Sequence, residues 1–189
     1  MIRRFRSFIF FACMVAIAGD ASLAHALHGR RSHDGNKNID SKMVARSRGI
    51  IALKPEGVRV ALEPSTGEAR KSSLAARIGK LRNNRRLYLV IKDLHAENPP
   101  DVIYQVYLNL PKDKKTSTET RAIGSVNFYA SQYGAPRSDF FFSYDVTDTL
   151  KNLLARKLLN EPLIVTIIPA GEPAGDSVPT VGQIQLIEQ

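Results

Sequence analysis

Cysteine occurs once in this chain of 189 residues, at Cys13. That excludes an internal disulfide and any paired-cysteine metal site. Histidine is nearly as scarce, with only His25, His28, His33 and His95. The G-x-x-x-x-G-K phosphate loop, H-E-x-x-H and G-x-S-x-G are all missing, and with them the usual nucleotide, zinc-protease and serine-hydrolase signatures. Long apolar runs are lacking too. The longest, Phe8 to Gly19, falls well short of the roughly 20 residues that span a bilayer.

What stands at the N-terminus is a three-part pattern. Arg3, Arg4 and Arg6 precede the apolar run, and Ala24-His25-Ala26 follows it as an A-x-A site. This is the layout of a secretory signal peptide, so residues 1–26 are expected to be removed after Ala26 and the protein to be exported, periplasmic or secreted. Cys13 would leave with the leader. The mature chain would then rely on its apolar core in an oxidising compartment, and residues 27–189 suffice for one domain.

Charge is uneven. Residues 27–92 hold 16 Lys/Arg against 5 Asp/Glu, a balance of +11, whereas residues 93–189 hold 8 against 12, a balance of −4. A basic half attracts anionic surfaces or acidic partners. No aromatic residues interleave with these cations, so nucleic acid is not expected as a partner. The simpler reading is a solvated basic tail. Residues 27–49 are read accordingly as a flexible basic lead-in, with the folded domain over 50–189.

The rest is β-patterned. Val58, Val60 and Leu62 alternate with Arg59 and Ala61 and stop at Pro64, a half-buried strand. Between 65 and 86, Leu74, Ile78 and Leu81 fit either a short helix capped by Ser72 or Ser73 or a long basic loop. Further strands are expected over 87–95, 102–110, 122–129, 139–146, 163–168 and 180–187, with turns at Asn98-Pro99-Pro100-Asp101 and Tyr133-Gly134-Ala135-Pro136. One amphipathic helix is clear: Leu150, Leu153, Leu154 and Leu158 form a stripe, with Asp145 or Thr147 as its cap. About seven strands and one helix predict an antiparallel β-sandwich, jelly-roll or immunoglobulin-like.

No convergent acid, base or nucleophile set emerges. Asp145 and Asp148 are explained by capping, Glu97 and Asp101 by a proline turn, and His95 by an exposed strand end. A processed N-terminus near His25 or His28 offers an amine beside an imidazole, a weak metal site at best. The sequence therefore predicts no enzyme and no cofactor.

Several segments, taken in order, resemble the C-terminal β-domain of plant-type polyphenol oxidases (tyrosinases). They are Leu87 to Leu94, Tyr104 to Asn109, Ile123 to Phe128, Asp145 to Leu150, Ile164 to Pro169 and Thr180 to Ile184. Tyr104-Gln105-Val106 stands where that family carries a Lys-Phe-Asp-Val-type motif. In the family this domain packs over the entrance of a di-copper domain that holds all six copper-binding histidines. The resemblance thus implies a non-catalytic shield acting on a separate tyrosinase-like copper oxidase, with Phe128, Tyr129 and Tyr133 as partner-facing candidates. The alternative is a structural protein that holds anionic envelope material through the basic half.

Overall fold

Alternation of apolar and polar residues turns into inward-facing rows once the strands pair. The computed structural model describes residues 41–65, 72–98, 100–109, 122–129, 141–173 and 178–189. They form β1 (Lys42–Arg46), β2 (Ile51–Ala52), β3 (Val58–Pro64), α1 (Leu74–Gly79), β4 (Leu87–His95), β5 (Tyr104–Leu108), β6 (Gly124–Val126), β7 (Phe141–Asp145), α2 (Thr147–Ala155), β8 (Leu163–Pro169) and β9 (Thr180–Glu188). Every pairing is antiparallel, along the path β6-β5-β8-β3-β1-β9-β4-β7, with β2 added beside the first two residues of β9. The longest ladder joins β4 to β9 through eight registered positions.

The path is one sheet rolled until its two edges nearly meet. Leu89 and Ile91 of β4, Tyr104 and Val106 of β5, Val165 and Ile167 of β8, and Ile184 and Leu186 of β9 point inward and are fully buried. Period-2 alternation delivers one row per strand. The mainly β, antiparallel architecture expected from the sequence is present, in nine described strands rather than about seven, and with a second helix.

Two corrections concern boundaries. The sheet begins at Lys42, inside the segment read as lead-in, and β1 lies in mid-sheet between β3 and β9. A register shift between Met43 and Ala45 turns consecutive residues Val44 and Ala45 inward, so the bulge erases the alternation that would have announced a strand. The strand expected over 122–129 is shorter, three residues of β6.

Both helices are locally determined. Ser73 caps α1, its Oγ accepting from the Ala76 N–H at 3.1 Å, and Ile78 is the residue α1 buries. The alternative of a long loop is thereby settled as a helix, if a short one. At α2 the Asp145 Oδ1 accepts from the Thr147 N–H at 2.9 Å, while the Thr147 Oγ accepts from the buried Leu87 N–H at 2.8 Å. Burial alone would raise the Asp145 carboxyl. The two Thr147 hydrogen bonds, aided by Arg86, bring it below the ordinary carboxylate range.

Strand direction sorts the connections. Neighbours on the path alternate up and down, so the β3–β4 connection with α1 and the β7–β8 connection with α2 emerge at the same end. That end is helix-capped. The β2–β3, β4–β5, β6–β7 and β8–β9 connections emerge at the other, where no helix is described, while β1 and β2 follow one another in the same direction along β9.

Candidate functional site

The bare end collects exposed apolar side chains. Among the described residues six large hydrophobic side chains are exposed: Ile50, Ile103, Tyr129, Phe141, Leu158 and Val178. Leu158 follows α2. The other five sit at the bare end: Ile50 enters β2, Ile103 enters β5, Tyr129 leaves β6, Phe141 opens β7 and Val178 precedes β9. Exposed carboxylates stand among them, at Glu56, Glu97, Asp101 and Glu172. Apolar residues scattered singly over a surface need no explanation, but five gathered at one end with polar residues between them have the composition of a recognition surface.

One side chain crosses the seam between the two sheet edges. Tyr144 of β7 points inward opposite Leu89, and its hydroxyl donates to the Ser125 carbonyl of β6 at 2.7 Å. Its ring lies against Gly124, where a Cβ would collide with it. Glycine is required here for close approach, not for a special backbone angle. Burial pushes the Tyr144 hydroxyl up to about 12. This one side chain ties β7 to β6, so the rolled sheet is closed by a tyrosine in place of a backbone ladder.

Tyr129 and Phe141 lie on the same side of that bond, because β6 and β7 run in opposite directions across the seam. They are the two ends of the connection from β6 to β7. Tyr129 is 47% and Phe141 62% exposed, and the Tyr129 N–H is held by the Asn127 Oδ1 at 3.4 Å.

Of the three residues expected to face a partner, the structure separates the first two. Phe128 is buried to 1% exposure, packed edge-on against Tyr104 with ring centroids 5.7 Å apart. It belongs to the core, because Phe128 and Val126 turn to the same side as the chain leaves β6. Tyr129 faces outward. Tyr133 lies outside the described residues, as do His25, His28, His33 and the turn at 133–136. Phe141, Ile103, Ile50 and Val178 were not singled out in the sequence, and the signal was available only in part: Phe141 begins the aromatic strand Phe141-Phe142-Ser143-Tyr144, but only the register tells which of its rings face out.

The Tyr104 hydroxyl is fully buried without a hydrogen-bond partner among the described residues, and burial raises its pKa. His95 sits at the end of β4, its carbonyl accepting from the Thr180 hydroxyl at 3.4 Å. Among the described residues no three His, Cys, Asp or Glu side chains cluster as metal ligands, and no helix is long and apolar enough to cross a membrane.

A family model described as Domain of unknown function (DUF7868) matches residues 40–189, which takes in every described element from β1 to β9. No curated protein matches the chain. Among solved structures it is similar to "Latent aurone synthase (polyphenol oxidase) from natural source", at 18% identity and TM-score 0.37, over 73% of this chain and 24% of that one. It is also similar to "Recombinantly expressed latent aurone synthase (polyphenol oxidase)", at 16% identity and TM-score 0.35, over 73% and 23%. The chain thus spans about a quarter of the length of those proteins.

Proposed function

The chain belongs to the family described as Domain of unknown function (DUF7868), and from that premise we propose that it is an exported, non-catalytic binding module that shields a separate tyrosinase-like copper oxidase. The observation that carries this reading is the asymmetry of the barrel: among the described residues, five of six exposed large hydrophobic side chains lie at the end where no helix is described. The resemblance of the ordered segments from Leu87 to Ile184 to a shielding domain supplies the kind of partner. Fold likeness by itself does not fix function, so the partner is the part at risk.

The mechanism is steric. Tyr129 and Phe141, held by a seam that Tyr144 fastens, would press against the mouth of a copper site and keep substrate and water out. Aromatic anchors on a rigid support lose little conformational freedom on binding, which favours them as contact residues. The test is capture of partners from the exported proteins of the source by the mature chain, with copper assayed in the eluate. Recovery of a di-copper oxidase supports the shield; eluates without copper protein sink it.

A second reading has its own observation. Lys42, Arg46, Arg48 and Lys54 are exposed along and after β1, and together with the basic stretch before β1 they offer attachment to anionic envelope material. Such attachment would be reversed by salt, since exposed charges are screened over about 10 Å at 0.1 M ionic strength. Arg48 also pairs with Glu63 at 2.6 Å.

A further inference from the structure

At the helix-capped end the sheet has a weak joint. β1 and β3 share only two registered positions, Ala45 opposite Pro64 and Arg46 opposite Glu63, whereas β3 and β8 share five. Where β1 and β3 part, a cleft of about 380 Å³ opens between the strands and α1, which is small for a ligand site but within the usual range. Its floor is core: Val44, Leu62 and Leu163 line it with exposures of 3%, 1% and 1%. Leu74 of α1 forms part of the wall.

The polar groups at the mouth are mostly committed. The Ser73 Oγ caps α1, and Arg77 lies 3.6 Å from Glu188. Glu161 accepts from the Ala75 N–H through Oε1 at 2.8 Å, and its Oε2 has no donor among the described residues. The lining charges, Arg77 and Glu161, cancel, and Arg77 already faces a second carboxylate. An anion would therefore find no spare cation here. A group that donates a hydrogen bond would find a waiting acceptor, and apolar surface would find apolar walls.

We propose that this cleft binds a small, uncharged, mainly apolar molecule carrying one hydroxyl, its body against Val44, Leu62 and Leu74 and its O–H donated to Glu161. The site is at the opposite end of the barrel from the shielding surface and stands independently of that role.

The test is a fluorescence titration of the full chain with 2-naphthol, alongside naphthalene and 2-naphthoate. Saturable binding of 2-naphthol is expected, with 2-naphthoate weaker. Leu74→Trp fills the cleft and should weaken 2-naphthol at least tenfold. Glu161→Gln keeps the Oε1 acceptor for Ala75 but removes the charge. It should weaken 2-naphthol by about tenfold, as loss of a hydrogen bond to a charged acceptor does, and leave naphthalene unchanged. Absence of saturation would overturn the proposal. So would 2-naphthoate binding tighter than 2-naphthol, unchanged affinity in a folded Leu74→Trp chain, or an equal loss for 2-naphthol and naphthalene in Glu161→Gln.

Discussion

The two ends of this barrel are built differently. At one, α1 and α2 lie across the strand ends and nearby polar groups are spent on internal bonds: Ser73, which caps α1, to Ala76, Glu161 to Ala75, Asp145 to Thr147 and Thr147 to Leu87. The N-cap of α2 is Val146, without a side-chain cap, rather than the expected Asp145 or Thr147. At the other, Ile50, Ile103, Tyr129, Phe141 and Val178 stand in solvent and no helix is found among the described residues. Polar groups that pair internally serve stability, whereas apolar groups left exposed cost solubility and are retained where something binds them. The difference puts the internal polar pairing at the capped end and the exposed apolar side chains, on which the proposed contact rests, at the bare one.

That division can be broken most forcefully at the capped end. Leu150 is the core-facing residue of α2 and is fully buried, so Leu150→Ala should cost about 2–5 kcal/mol of stability by the usual cavity penalty. Thermal or denaturant melting reads it directly. A loss below about 0.5 kcal/mol, the scale of an exposed substitution, would mean α2 does not hold that end together.

The seam comes next. Gly124→Ala sets a Cβ against the Tyr144 ring and should cost about 1–3 kcal/mol as overpacking does. Hydrogen exchange at β6 and β7 should rise with it while the β4–β9 ladder stays protected, since the centre of the sheet does not depend on the seam. Uniform loss of protection would show that the seam is not a separate element.

Acid should act on the capped end through Asp145. Asp145 has a folded pKa below its unfolded value, so its contribution is present above the ordinary carboxylate range and is lost as pH falls through the lowered folded value. Asp145→Asn should flatten that acid limb in a melting series against pH. An unchanged limb would remove Asp145 from the account.

Smallest in stability, and largest in function, are the bare-end aromatics. Tyr129→Ser and Phe141→Ser should each shift stability by no more than about 0.5 kcal/mol, as exposed substitutions do, yet abolish partner capture. Loss of capture together with a large loss of stability would merge the two ends that the structure separates.

How far the sequence foretold this varies with the kind of pattern each element carries. β4 and β9 were legible because their apolar residues recur at one period over nine residues, and β8 because it is a nearly continuous apolar run closed by Pro169. α2 was legible from its leucine stripe, although Leu158 of that stripe lies beyond the helix and is exposed. β1 was not, because its bulge places Val44 and Ala45 on one face within only five residues. Tyr129 and Phe128 could not be told apart by type, since the register at the end of β6 decides which is core. The cleft was invisible for a different reason: Val44, Leu62, Leu74 and Glu161 come from four places in the chain and meet only when α1 closes over the β1–β3 joint.

The shielding proposal meets its most direct test in one rate measurement: diphenol oxidation by a tyrosinase-like copper oxidase with increasing amounts of this chain. The account predicts a fall in rate that saturates near one chain per enzyme and disappears with the Tyr129→Ser, Phe141→Ser double variant. A rate unaffected by the wild-type chain, or reduced equally by the double variant, would contradict it.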